Sequence, residues 1–254
     1  MKEYRFRYGD GEVVIPLEEG QVLGELHGNH VPAAASIPDT LRAALENPIG
    51  LPPLRQWTKP GERVALVISD MSRFWMRQDK VIPPLVDYLR DECGIPEDHV
   101  TIIVANGTHD GGDEKELRTL VTDGVYDRIR VVNHDCQAKD LVYIGTPSLG
   151  TEVHINPIAA NADKVIMLGA CTYHVMAGYG GGRKSILPGI SGLETIRQNH
   201  LHSLDLLAPR SNPLIGNGVT DGNPLNEDMC QAAAMVKNLF GINLVTNADM
   251  QLAH

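Results

Sequence analysis

From Arg63 onward the chain alternates short apolar runs with longer amphipathic stretches. RVALVIS is followed by VIPPLVDYLRDE, VTIIVA by DEKELRTLVTDG, and KVIMLGA by SGLETIRQNHL. Each apolar run is rich in β-branched residues and too short for a helix, the pattern of strands buried on both faces. The alternation predicts an α/β domain over residues 63–254, a parallel-type sheet with helices on both faces.

Residues 1–62 read differently, as a small strand-rich segment packed on the main domain. YRFRYG, EVVIPL and QVLGELHG are β-compatible runs separated by the turn signals Gly9-Asp10-Gly11 and Glu18-Glu19-Gly20. A helix is expected through DTLRAALEN, with Asp39 as N-cap and Leu41, Ala44 and Leu45 at helical spacing, before the proline-rich connection LPPLRQWTKPGE. The closing INLVTNADM reads as a strand and the loop after it, so a further element is expected where the chain stops.

Composition narrows the classes. With 254 residues, 43% of them hydrophobic and 21% charged, the chain can bury a sizeable core. A formal net charge of -10 and a pI near 5.4 argue against a sequence-independent grip on nucleic acid, which needs a basic surface. The N-terminus lacks the apolar stretch of a secretory signal and no segment has the length of a membrane span, so a cytoplasmic location without membrane partners is expected. Cys93, Cys136, Cys171 and Cys230 form no CxxC pair and are expected to be reduced and mostly buried.

In a doubly wound sheet, ligands collect at the carboxyl ends of the strands. Polar residues gather there: Asp70-Met71-Ser72-Arg73 after the first run, Asn106-Gly107-Thr108-His109 after the second, and Cys171-Thr172-Tyr173-His174 after the third. The last leads into Gly178, Gly180, Gly181 and Gly182, then Arg183 and Lys184. Consecutive glycines allow positive φ and close approach to a bulky ligand such as a nucleotide phosphate. The phosphate-binding pattern GxxxxGK[ST] fails, because Arg183 stands where a glycine must precede the lysine. Ser191 and Glu194 fit a capping box for a helix that presents His200 about two and a half turns along.

Taken singly, these residues leave alternatives open. His200 suits the C-terminus of a helix as well as a ligand role, His109 suits a hydrogen-bonded loop, and Arg73 suits a surface ion pair. Asp70 can accept from a ribose, orient a histidine or cap the following helix. His134 is a weaker candidate for the same crevice. His27 and His30 lie in an early turn without a third ligand, His202 flanks His200, and the stretch from Asp221 to Met229 reads as a loop entering a helix.

In combination, DMSR, GTH, YH, GGGRKSILPG and QNH, in this order between Arg63 and His202, resemble the N-terminal domain of lactate racemase and its relatives, the nickel-pincer-nucleotide enzymes. The resemblance implies a 2-hydroxy acid racemase or epimerase in which Lys184 carries the nickel-pincer nucleotide covalently and His200 completes a square-planar nickel site. It implies that His109 and His174 are catalytic bases, one for each enantiomer, and that Asp70 and Arg73 stand around cofactor and substrate, with Gly180, Gly181 and Gly182 shaping the cofactor loop. The implied chemistry removes the hydroxyl proton to a histidine while hydride leaves Cα, giving a planar 2-keto acid to which hydride returns on the other face. Cofactor-biosynthesis proteins and a small 2-hydroxy acid are the implied partners. Relatives carry a second, C-terminal domain that closes the site, so this chain is expected to lack it.

The physical logic agrees where it can be checked. Ni(II) favours square-planar coordination and accepts neutral imidazole, so one histidine suffices where the cofactor supplies the other donors. Imidazole is also the side chain whose pKa lies nearest working pH. Two other readings remain: a metal-dependent hydrolase centred on His109, His134 and His174, and a non-catalytic nucleotide-binding module using the glycine loop and Arg183.

Overall fold

The structure is a computed structural model that describes residues 1–9, 11–18 and 20–253, so Asp10 and Glu19 of the two expected turn signals lie outside the described residues. Contacts divide the chain into two units, Met1–Val31 and Pro32–His254. In the first, β1 (Lys2–Tyr8) pairs antiparallel with β2 (Gly11–Leu17), from Lys2 opposite Leu17 to Tyr8 opposite Gly11. The third expected strand, QVLGELHG, does not form. Its Leu23 and Leu26 stand fully in solvent, and Gly24 and Gly28 weaken a run that has no ladder to join.

The second unit opens with α1 (Ile37–Glu46), which starts earlier than expected. Ser36, not Asp39, is the N-cap: its Oγ accepts from the Asp39 N–H at 3.3 Å. Pro38 has no N–H to lose and a φ already set for a first turn, so the helix begins before it. Leu41 and Leu45 bury the apolar stripe.

The alternating pattern then resolves into β3 (Val64–Ser69), α2 (Ile82–Asp91), β4 (Val100–Ala105), α3 (Glu114–Val121) and β5 (Arg130–Asn133). It continues with β6 (Lys164–Ala170), α4 (Leu193–Leu201), α5 (Pro224–Ala234) and β7 (Leu239–Leu244). The strands form one five-stranded parallel sheet in the order β7-β6-β3-β4-β5. Successive residues point to opposite faces. Leu66, Ile68, Ile166 and Leu168 pack in a layer with Leu45, Leu85 and Leu120 of α1, α2 and α3. Ala65, Val67, Val165 and Met167 pack in the other with Ile196, Leu225 and Met229 of α4 and α5. Burying each large aliphatic side chain contributes about 1.5–3 kcal/mol, which is why continuous apolar runs settle between two helical layers.

Strand order reverses beside β3. From β3 the chain proceeds outward to β4 and β5, then returns to place β6 on the opposite side of β3. The loops leaving the carboxyl ends of β3 and β6 therefore depart from neighbouring strands toward opposite faces, and a crevice opens between them. Gln78, fully buried, brackets the end of β3: its amide donates to the Ser69 carbonyl at 2.7 Å and accepts from the Ser69 N–H at 3.2 Å. This pins the short 3-10 helix Met71–Met76 over the crevice.

The capping box expected at Ser191 and Glu194 is absent. Gly192 takes the N-cap position without a side-chain bond, and the Ser191 hydroxyl donates inward to the Ile186 carbonyl at 2.7 Å. A lone bridge from Ser191 to Ile155 draws the residue out of capping geometry. Of the four cysteines, only Cys93 is buried; Cys136 is half-buried, and Cys171 and Cys230 are exposed.

Helix α4 is held from its far side. Asn199, fully buried, donates through Nδ2 to the Leu225 carbonyl at 3.2 Å and to Asp228 Oδ2 at 2.8 Å, while Thr151 Oγ1 donates to the same carboxylate oxygen at 2.8 Å. Removing a donor from a buried carboxylate costs about 1–3 kcal/mol. Asn199→Ala is therefore expected to lower unfolding stability by that amount in a urea titration, whereas Leu201→Ala, at an exposed position of the same helix, changes it by less than about 0.5 kcal/mol.

Candidate active site

A cavity of about 460 Å³ occupies the crevice at the strand-order reversal. Asp70, Arg73, His109, His174, Lys184 and His200 all line it, as do Gly180 and Gly181. Six side chains drawn from the three expected strand ends, the glycine loop and α4 thus meet at one place. Gly182 does not line the cavity, and its missing Cβ would meet open space.

The glycines also meet a need within the chain itself. A Cβ on Gly181, whose φ is +71°, would stand 2.4 Å from Asn243 Oδ1 and 2.8 Å from the Ala170 carbonyl oxygen. One on Gly180 would stand 3.1 Å from the same carbonyl. At Gly180 and Gly181 the loop lies so close to the end of β6 and to Asn243 that a side chain has no room. Asn243 of β7 secures it by accepting from the Gly182 N–H at 2.9 Å. Nothing in the linear pattern marked Asn243 as part of this arrangement.

Each histidine is oriented through one ring nitrogen. His109 Nδ1 meets Asp70 Oδ2 at 2.5 Å, so Asp70 orients this ring, and its side chain makes no cap bond. Ser72, overlooked between Asp70 and Arg73, donates to Asp70 Oδ1 at 2.6 Å and accepts from Arg73 Nη1 at 2.9 Å. His200 Nδ1 donates to the Ile196 carbonyl one turn back on α4, at 3.0 Å. That leaves its Nε2 lone pair for the cavity, the arrangement in which an imidazole serves as a metal donor. His174 Nδ1 accepts from the Met176 and Ala177 N–H groups at 3.2 and 3.0 Å.

The cavity is rich in cations. Arg73 has no carboxylate partner among the described residues; its guanidinium donates to Ser72. Burial, with Arg183 and Arg73 nearby, lowers the pKa of the Lys184 amine to about 8. Burial and the surrounding charges, Lys184 first, push His174 down to about 4. His200 is lowered chiefly by burial, against which its bond to Ile196 acts.

Arg183 itself points elsewhere. Its guanidinium donates to Asn226 Oδ1 at 2.6 Å and to the Ala177 and Tyr179 carbonyls at 2.6 and 3.1 Å. It does not line the cavity, which removes it as the anion grip of a nucleotide module. His134 is buried outside the cavity, bonded to the Ser191 carbonyl at 2.9 Å and to Asn156 at 3.3 Å, with burial lowering its pKa. The triad of His109, His134 and His174 is not assembled, and among the described residues no group of three or more His, Cys, Asp or Glu side chains is placed to hold a metal. Asp221 precedes the N-cap Asn223 of α5, and Met229 is a buried residue of that helix; neither lines the cavity. His202 stands 4.0 Å from Asp228, behind α4. Among the described residues no helix is long and apolar enough to cross a membrane.

Comparison with known proteins gives a consistent set of relatives. Residues 8–210 match the family model of the lactate racemase N-terminal domain. A lactate racemase of Thermoanaerobacterium thermosaccharolyticum is 28% identical over 257 residues, covering 100% of this chain and 58% of the relative. One of Lactiplantibacillus plantarum is 31% identical over 215 residues, covering 84% and 49%. The chain thus spans about half the length of these curated relatives. The solved lactate racemase apoprotein of Thermoanaerobacterium thermosaccharolyticum superposes with a TM-score of 0.83 at 27% identity, over 100% of this chain and 58% of that one. A protein of Thermotoga maritima, at 20% identity and a TM-score of 0.64, over 85% and 52%, shares the fold.

The depressed Lys184 pKa has a consequence for stability. Its ordinary value is 10.5 and its folded value about 8. As pH falls from 10.5 to 8 the unfolded chain takes the proton first, so stability falls, and below 8 the folded state carries the whole cost of a cation enclosed beside two arginines. Lys184→Met is expected to raise stability at pH 7, on the order of 1–3 kcal/mol, with the gain vanishing between pH 8 and 10.5. Chemical denaturation across that range checks it, and no gain at pH 7 would contradict the enclosure of the amine.

Proposed function

The chain belongs to the lactate racemase N-terminal-domain family, and from that premise we propose that it is the cofactor-carrying part of a 2-hydroxy acid racemase or epimerase acting on a lactate-like substrate. The observation that carries this reading is the meeting, in one cavity, of an amine with a pKa near 8 and an imidazole whose Nε2 lone pair is free. Lys184 and His200 are the residues that would hold a nickel-pincer nucleotide, the first by a covalent bond from its partly neutral amine, the second by Nε2 as a metal donor. When bound, that group supplies a hydride acceptor.

The chain's own residues then divide the remaining work. Arg73, free of carboxylate partners among the described residues, offers a planar fork for the substrate carboxylate. His109, held by Asp70 through Nδ1, presents Nε2 to the hydroxyl proton, and the Asp70 carboxylate steadies the imidazolium that forms. His174 lines the same cavity as Lys184. Direct removal of a proton from Cα would build charge beside an existing carboxylate; moving the hydroxyl proton to His109 and the hydride away from Cα avoids that accumulation. Cofactor-biosynthesis proteins are partners in this reading.

The test is chemical. Produced together with cofactor-building enzymes, the chain is expected to gain mass at Lys184 and to bind nickel; Lys184→Ala loses both, and His200→Ala keeps the added mass while losing most of the nickel. Intact-mass measurement with peptide mapping and elemental analysis reads all three. An unmodified Lys184 in active, nickel-loaded protein would overturn the assignment.

A further inference from the structure

An enclosed lysine amine ordinarily has an acceptor beside it, because its N–H bonds need partners once water is withdrawn. Lys184 has none. Among the described residues no carboxylate, carbonyl or hydroxyl is bonded to its amine, and Asp70, the one acid lining the cavity, is engaged by His109 and Ser72. The side chain is half-buried, so the amine is withdrawn from bulk water yet reached from the cavity. Its backbone is wedged in place. Lys184 lies in the 3-10 turn Gly182–Ser185, where its N–H donates to the Gly181 carbonyl at 3.1 Å and its carbonyl accepts from the Gly189 N–H at 3.0 Å. A Cβ on Gly189 would stand 2.3 Å from the Ser185 carbonyl oxygen and 2.9 Å from Cβ of Ala105 at the end of β4. The turn is thereby pressed against the sheet, and the amine ranges only over the reach of its own stem.

A lysine without a counter-ion, enclosed beside Arg183 and Arg73, holds its proton poorly, and its pKa of about 8 reflects that. A neutral amine is a nucleophile, and desolvation next to other cations is a means by which lysines are prepared to attack carbonyl carbon. The same surroundings select the molecule that brings the carbonyl. Arg73 has a planar fork and no carboxylate partner among the described residues, and the cavity sets Arg73 and Lys184 against Asp70 alone. A carbonyl for Lys184 and a carboxylate for Arg73, carried on one small molecule, define an oxo acid, and the cavity of about 460 Å³ has room for it.

We propose that the chain, before any cofactor is attached, has a reactivity of its own: Lys184 condenses reversibly with the carbonyl of a small 2-oxo acid whose carboxylate lies on Arg73. The nitrogen lone pair attacks the carbonyl carbon while the C=O π pair moves to oxygen. The carbinolamine then loses water, both amine protons leaving on that oxygen, and a C=N bond remains. Amine and oxo acid give imine and water, with nothing oxidised or reduced. The carboxylate supplies the negative charge that Arg73 lacks. This chemistry needs only the unloaded chain; the choice of a 2-oxo acid, the oxidised counterpart of a 2-hydroxy acid, rests on the racemase reading. One amine cannot carry an imine and a cofactor together, so in that reading the two are alternatives at Lys184.

Reductive trapping tests this. The chain, produced without cofactor-building enzymes, is incubated at about pH 8 with pyruvate and sodium cyanoborohydride, which reduces an imine to a stable secondary amine, and is then mapped by peptide mass. The adduct on Lys184 is expected to exceed that on the exposed Lys80 and Lys115 at least about tenfold, because far more of its amine is neutral at that pH. Lys184→Met removes it. The preference for Lys184 over Lys80 within one sample is expected to fall about tenfold when acetone, of similar size but without a carboxylate, replaces pyruvate, and by as much with pyruvate in Arg73→Gln, the loss of one charge-assisted pair. Adduct spread evenly over the three lysines overturns the proposal, and so does an equal preference with pyruvate and acetone. The acetone comparison uses the wild-type chain, so the proposal is decided even where Arg73→Gln folds poorly. Trapping needs neither nickel nor turnover: loaded protein that forms no racemate counts against the racemase reading, while the reactivity of the free amine is decided by the adducts alone.

Discussion

The reversal of strand order between β3 and β6 is the constraint on which the site depends. Two hydrogen-bonded parallel strands end side by side, and their continuations leave toward opposite helical layers. No crossover covers the gap, so the carboxyl ends of both strands line a cavity. Asp70 follows β3 directly and Cys171 follows β6 directly; Arg73 and His174 come three residues further along each loop. Their convergence needs no long-range device beyond the sheet itself, whose apolar runs are fixed by burial on both faces. The devices that refine it are local: Gln78 closing the end of β3, and Asn243 tying the glycine loop to β7.

Within that frame the setting of three imidazoles is fixed by what touches Nδ1. A carboxylate holds His109, a helical carbonyl holds His200, and two amide N–H groups hold His174. Acceptors at the first two leave Nε2 as a lone pair; donors hold the ring of the third. Three copies of one side chain are thereby oriented by three kinds of partner without any difference in residue type. Position in a strand-end loop says that a histidine reaches the crevice, but the partner of its other nitrogen says how its ring is held there.

This is also where legibility in the sequence ends. The sheet, its helices and the meeting of Asp70, Arg73, His109, His174, Lys184 and His200 follow from runs, spacing and motif order, because burial of apolar strands is a strong and local signal. Contacts between distant segments follow from none of these. Ser191 and Glu194 satisfy the pattern of a capping box, yet a bridge to Ile155 turns Ser191 inward. QVLGELHG has strand-like composition without a partner to pair with. His134 follows a short strand as His109 does, but the carbonyl of Ser191 and the amide of Asn156 enclose it in the packing. The glycine run marks a close approach, but not that the Ala170 carbonyl and Asn243 are among the groups that approach.

Arg183 joins these threads. Its presence broke the phosphate-loop pattern in the sequence, and the structure gives it another task. It is enclosed between the turn that carries His174 and the first turns of α5, with three hydrogen bonds and no carboxylate partner among the described residues. A lysine in its place would supply a point charge but not the fork that reaches Asn226, Ala177 and Tyr179 at once. Because the guanidinium stays charged when enclosed, it also acts on its neighbour, lowering the Lys184 pKa together with burial and Arg73. One side chain thus fixes the turn that orients His174 and favours the neutral amine beside it. The glycine required at that position in a phosphate loop could do neither.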